Sequence, residues 1–203
     1  MKTPERISFP GFLLLTTLLI SGFVLPPEKT GRSSPQYEGI IVIPGLTDSV
    51  TVYRDEKGMP HIYATCEHDL YLATGYITAQ ERLWQMDLVR RSSTGRMAEI
   101  FGRSFVQTDI LTRCLRIEEI SKHMLRDEDP AIVECLQAYA DGVNAFISTP
   151  GRKLPLEFRI LSYEPGPWTP ENIVSILGLL GWNLSTKNLA DEIFNYSLVL
   201  QAG

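Results

Sequence analysis

Histidine and cysteine are scarce in this 203-residue chain, with three of each. Cys66, Cys114 and Cys135 stand 48 and 21 residues apart, and no CxxC pair occurs. That pattern excludes a zinc site of the usual Cys/His spacing. An odd count permits at most one internal disulfide, and only in an oxidising compartment; otherwise the thiols serve as small apolar residues. His61, His68 and His123 share no ligand spacing. His61 alternates with Ile62 beside Pro60, which reads as hydrogen-bonded structure rather than a base. No GxSxG turn occurs, so the scattered serines carry no Ser-His-Asp argument. Excess positive charge is missing as well. The net charge is −5, and Arg90, Arg91, Arg96 and Arg103 interleave with Asp87 and Glu99. Such mixing describes a solvated or salt-bridged face, not a phosphate track. No internal repeat is visible.

A long apolar run is present at the N-terminus. Lys2 and Arg6 precede it, it covers residues 9–25, and Pro26-Pro27 close it. A positive start followed by an apolar stretch is an export signal. No small-x-small cleavage site follows, so residues 1–27 read as a signal peptide or an uncleaved signal anchor. Residues 28–38 read as a polar linker with Gly31, Ser33, Ser34 and Pro35.

Residues 39–43, Gly-Ile-Ile-Val-Ile, read as a β-branched strand ended by Pro44-Gly45. Residues 49–54 alternate polar and apolar, as a strand does. Asp55 and Gly58 suit a turn, and residues 59–64 suit a third strand with Pro60 at its start or on an edge. Helix follows over about 69–91, where Leu70, Ala73, Tyr76, Leu83, Trp84 and Leu88 recur at helical spacing and Gly75 is a candidate interruption. Glu81, Arg82, Asp87 and Arg91 suit helix-face ion pairs, and Arg54 suits a cross-strand pair. Asp129-Pro130 and Thr169-Pro170 are cap-then-proline helix starts. Val133, Leu136, Ala140, Val143 and Ile147 trace one apolar face, and Pro150-Gly151 end it. Residues 173–180 are apolar nearly all round, which implies deep burial. The fold class is α+β: a short N-terminal β unit, then a helix-rich remainder.

Several segments together resemble the opening of penicillin amidases. They are Val52-Tyr53-Arg54-Asp55-Glu56-Lys57-Gly58-Met59-Pro60-His61-Ile62, then Ala79-Gln80-Glu81-Arg82-Leu83-Trp84-Gln85-Met86-Asp87, then Gly95-Arg96-Met97-Ala98-Glu99. Tyr139-Ala140-Asp141-Gly142-Val143-Asn144-Ala145 and Pro167-Trp168-Thr169-Pro170 continue the order. The resemblance runs from about Ile40 to Tyr196. It implies part of the αββα architecture of N-terminal-nucleophile hydrolases, in which two packed sheets lie between helices.

The same resemblance implies an acylase precursor that cuts itself into an α and a β chain. The new N-terminal serine of the β chain attacks an amide carbonyl, with its own α-amino group as base. No catalytic residue is then expected in this chain, and its partner is the β-chain portion. Glu192 is implied as one ligand of a structural calcium ion shared with that portion. Trp182, Ser185 and Thr186 are implied as lining for the acyl group of a small acyl-amide substrate, although Trp182 suits ordinary core equally. Neither the spacer before the cut nor a Ser-Asn start occurs before Gly203, so the region 39–203 is expected to be incomplete at its C-terminus. The resemblance implies an exported protein, periplasmic or anchored to the membrane facing outward. Penicillins and N-acyl homoserine lactones both remain open as substrates, as does a truncated, non-catalytic binding remnant.

Overall fold

Asp55 shapes the first pair of elements. Its Oδ1 accepts hydrogen bonds from the backbone N–H of Lys57 at 2.9 Å and Met59 at 2.8 Å. Gly58 completes the turn at φ 76°, a conformation that costs glycine little. The turn joins β1 (Thr51–Arg54) to β2 (Pro60–Tyr63) as an antiparallel pair, with Val52 opposite Ile62 and Tyr53 opposite His61. Pro60 is the first residue of β2, where its missing N–H does least harm. Arg54 does not pair across the strands; it reaches Glu81 on the following helix. This computed structural model describes residues 37–149 and 154–202. The export segment at 9–25, the linker up to residue 36 and the Pro150-Gly151 helix stop lie outside them.

The expected strand at 39–43 is not a ladder strand among the described residues. The only sheet there is β1 with β2. The segment is nonetheless strand-like in its side chains: Ile41 and Ile43 pack against the core, while Ile40 is 91% and Val42 88% exposed.

Helix α1 (Glu67–Ser93) and helix α5 (Pro130–Ile147) build the core. Gly75 does not interrupt α1; the break in helical geometry falls at Arg82, with φ −135° and ψ 19°. Gly75 serves close approach instead. A Cβ there would stand 2.1 Å from the Tyr139 carbonyl oxygen, and one at Gly142 only 1.9 Å from that of Leu72. Two glycines thus let the helix backbones touch. Around this crossing Leu83, Ala140, Val143 and Phe158 are almost fully buried. Burying a side chain of Leu or Phe size is worth about 1.5–3 kcal/mol. Tyr76 meets Phe146 edge-on at 5.4 Å, and Trp84 meets Phe158 in the same way at 5.4 Å. Asp129 caps α5, as its sequence predicts, by accepting from Ala131 N at 2.9 Å.

Between these helices lie α2 (Ala98–Phe101), a single tight turn (Gly102–Phe105), α3 (Val106–Cys114) and α4 (Ile117–Asp127). The Asp109 side chain reaches back from α3 to the start of α2, accepting from Met97 N at 3.0 Å and Ala98 N at 2.7 Å. After α5 come the short α6 (Leu156–Ile160) and the 33-residue α7 (Pro170–Ala202).

The deep burial expected at 173–180 is not observed. Only Ser175 is buried there, and Leu177 is 61% exposed. The first turns of α7 pack on α4, α1 and α5, which cover one side; beyond Gly181 most apolar side chains stand in the open. No described helix is long and apolar enough to cross a membrane.

Candidate acyl-binding groove and the helix that carries it

The direction of α7 is set just before it begins. Asn144 on α5 grips the Trp168 backbone at both ends: its Nδ2 donates to the Trp168 carbonyl at 2.9 Å, and its Oδ1 accepts from Trp168 N at 2.8 Å. Arg90 on α1 donates to the carbonyls of Gly166 at 3.2 Å and Pro167 at 2.8 Å, and its guanidinium lies over the Trp168 ring at 5.0 Å. The Asn172 side chain then accepts from Thr169 N at 3.1 Å and starts the helix.

Arg90 is held in turn by buried Asp87. That carboxylate contacts Arg90, accepts from Arg91 Nε at 2.9 Å and accepts from the Tyr163 hydroxyl at 2.9 Å. Arg91 continues to Glu99, which also takes Arg96. The mixed charges of this stretch therefore form a salt-bridged face, half-buried rather than solvated. Burial pulls the Arg90 guanidinium below its ordinary range, a shift that Asp87 opposes. Burial and the Asp87 carboxylate together push the Tyr163 phenol far up. Of the helix-face pairs expected from sequence, only Asp87 with Arg91 forms at i,i+4; Arg82 turns to Gln85.

Trp182, Ser185 and Thr186 all lie on α7, and two of them share a groove. A cavity of about 610 Å3 runs between α4 and α7, lined by Ile117, Ile120, Met124, Leu177, Trp182 and Ser185. That size and apolar lining fit a small organic ligand. Ser121, which also lines it, meets Ser175 in a buried pair with their hydroxyls 3.3 Å apart. Thr186 is not part of this lining. Ser185 Oγ donates to the Gly181 carbonyl at 2.8 Å, and Thr186 Oγ1 donates to that of Trp182 at 2.9 Å. Both hydroxyl protons are thus used within the helix.

Among the described residues, no histidine side chain is hydrogen-bonded to a serine hydroxyl. His61 contacts Asp55, His68 contacts Asp69 and His123 contacts Arg126. Glu192 is exposed, seven residues beyond Ser185 on the same stripe of α7 and so about 10 Å further along it. No group of three or more His, Cys, Asp or Glu among the described residues could hold a metal ion. Glu192 and Asp191 by themselves do not meet calcium's need for six to eight oxygen ligands.

Sequence reasoning missed the far wall of the groove. Residues 103–128 are charged, and only Asp109, Thr112, Ile117 and Ser121 within α3 and α4 are buried. A stronger signal was available in α4, where Ile117, Ile120, Ser121 and Met124 recur at helical spacing.

The family model for penicillin amidase matches residues 49–203. Penicillin acylase 2 proenzyme of Pseudomonas sp. (strain SE83) is 41% identical over 154 residues, covering 76% of this chain and 20% of the relative. The acyl-homoserine lactone acylase QuiP of Pseudomonas aeruginosa is 32% identical over 176 residues, covering 87% and 21%. Among solved structures, a thermostable penicillin G acylase from Alcaligenes faecalis superimposes with a TM-score of 0.64 at 30% identity, over 76% of this chain and 83% of that one. The chain spans about one fifth of the length of these curated relatives. Over the region that carries the groove and the clamps that aim it, this chain belongs to the penicillin amidase family.

Proposed function

We propose that this chain is the N-terminal part of an N-terminal-nucleophile acylase that hydrolyses the amide bond of an N-acylated small molecule. The reacting serine lies in the remaining part of the family's polypeptide. That serine's hydroxyl attacks the amide carbonyl, its α-amino group takes the proton, the amine leaves, and water releases the acid. The observation that carries the reading is the apolar groove of α7 inside the matched region 49–203. This chain's share of the work is to bind and orient the acyl group, with Trp182 as the wall and Ser185 as a polar mark on it. Its relatives named above act on penicillins and on acyl-homoserine lactones, and an N-acyl amide is common to both. The long apolar run at 9–25 supports export from the cytoplasm. Exposed Glu192 supplies one carboxylate to a calcium site whose other ligands lie outside this chain.

The test is to co-express the chain with the C-terminal four-fifths of the Pseudomonas sp. SE83 relative and assay phenylacetyl and long-chain acyl amides. Turnover of an acyl amide is expected, and Trp182→Ala raises KM by about tenfold while kcat changes less. An active complex indifferent to Trp182→Ala would remove the groove from the account. A complex that binds but turns over no acyl amide would remove the activity.

A further inference from the structure

Residues 39–43 have the sequence and side-chain pattern of a strand without the hydrogen bonds of one. Four β-branched residues follow Gly39, and their burial alternates with a period of two. Ile41 and Ile43 point into the core, while Ile40 and Val42 are nearly fully exposed. Two glycines with positive φ bound the segment, Gly39 at 93° and Gly45 at 95°. Among the described residues, none from 39 to 43 makes a backbone hydrogen bond. A cavity of about 390 Å3 is lined jointly by the segment (Ile41, Ile43), by Val50 just before β1 and Val52 within it, and by Tyr76 of α1.

Unpaired backbone in a β-branched segment is a template for another strand. A two-stranded sheet is also marginal alone; three or more strands with an apolar face are the usual requirement. We propose that residues 39–43 are an open β-edge that receives a strand from the part of the acylase polypeptide outside this chain. The proposal rests on the acylase reading above and names one surface on which the two parts join. The incoming strand carries apolar side chains on alternate residues, to cover Ile40 and Val42. A second copy of this chain is the poorer occupant. Five residues extend only about 17 Å, and a contact that short falls well below the roughly 1,200 Å2 of a stable independent interface. A strand already tethered to a large folded partner does not need that area from this contact alone.

The experiment uses the full chain and, as probe, the C-terminal four-fifths of the Pseudomonas sp. SE83 relative. Hydrogen exchange is followed at amides 40–43 in the chain alone and in the purified complex. Slow exchange in the complex only, by about tenfold or more, is expected. The double variant Ile40→Lys/Val42→Lys changes exposed side chains, so the isolated chain should melt like the parent while complex affinity falls about 100-fold. Ile110→Lys, at another exposed apolar position on α3, should leave that affinity unchanged. An active complex whose amides 40–43 still exchange fast overturns this inference and leaves the acylase reading standing. Protection that appears in the chain alone with rising concentration also overturns it, since the occupant is then a second copy. Failure to form any complex overturns both.

Discussion

Gly142→Ala adds one methyl group at the tightest point of the fold. The new Cβ would lie 1.9 Å from the Leu72 carbonyl oxygen, 2.8 Å from its carbon and 2.9 Å from Tyr76 N. All three are helix backbone, so no side chain can swing aside. Relief requires α1 and α5 to move apart, which loosens Val143 and Ala140 against Leu83 and Tyr76. Overpacking of this kind costs about 3 kcal/mol, and the better helix propensity of alanine returns about 1. The net loss is then about 2 kcal/mol, or roughly 4–8 °C in Tm for a protein of this size. Gly181→Ala supplies the opposite sign. It lies within α7 with nothing within 4 Å of the added Cβ, so only the propensity gain of about 1 kcal/mol remains. Thermal melting followed by far-UV circular dichroism separates the two. A Gly142→Ala protein that melts at or above the parent would refute the reasoning, as would a Gly181→Ala protein destabilised equally.

Asp87→Asn leaves Arg90 buried without its counter-charge and Arg91 with Glu99 alone; it should cost about 3–5 kcal/mol, whereas Tyr163→Phe removes one hydroxyl donor and should cost about 1. Urea midpoints in the reverse order would contradict the network. Asp69 is buried and accepts from Thr47 N at 2.9 Å, Thr47 Oγ1 at 2.7 Å and Asp48 N at 2.8 Å. The Thr47 N–H leads these donors in holding its carboxyl well below the ordinary range. Its contribution is therefore complete above the unfolded pKa of about 3.9 and drains away as pH falls through the lower folded value. The parent should lose urea resistance below about pH 4, and Asp69→Asn should show less of that slope.

The parts of the fold legible from sequence are those with local causes. Asp55 and Gly58 dictate the turn between β1 and β2, and Asp129-Pro130 dictates the start of α5, so both were readable residue by residue. The spacing of Leu70, Ala73, Tyr76, Leu83 and Leu88 shows a helix, but a glycine in it signals flexibility and close contact alike. Only the position of Tyr139 against Gly75 decides for contact. Residues 39–43 show strand propensity, yet a ladder needs a partner that no local pattern supplies. In α7 the apolar surround fixes the helix and its wish for cover, but not what covers it. For the groove, Trp182 and Ser185 came from resemblance. Their opposite wall, Ile117 and Ile120, sits in a charged stretch, where the helical spacing of Ile117, Ile120, Ser121 and Met124 marks an apolar face but not what lies against it.

The central claim is that this chain binds and orients while its partner performs the chemistry. The most direct measurement titrates purified chain into the purified C-terminal four-fifths of the Pseudomonas sp. SE83 relative and follows hydrolysis of a chromogenic phenylacetyl amide. The account predicts no turnover from this chain alone and activity that rises with added chain to a plateau at one-to-one stoichiometry. Turnover that co-purifies with this chain in the absence of the partner, and survives Ser185→Ala, would contradict it.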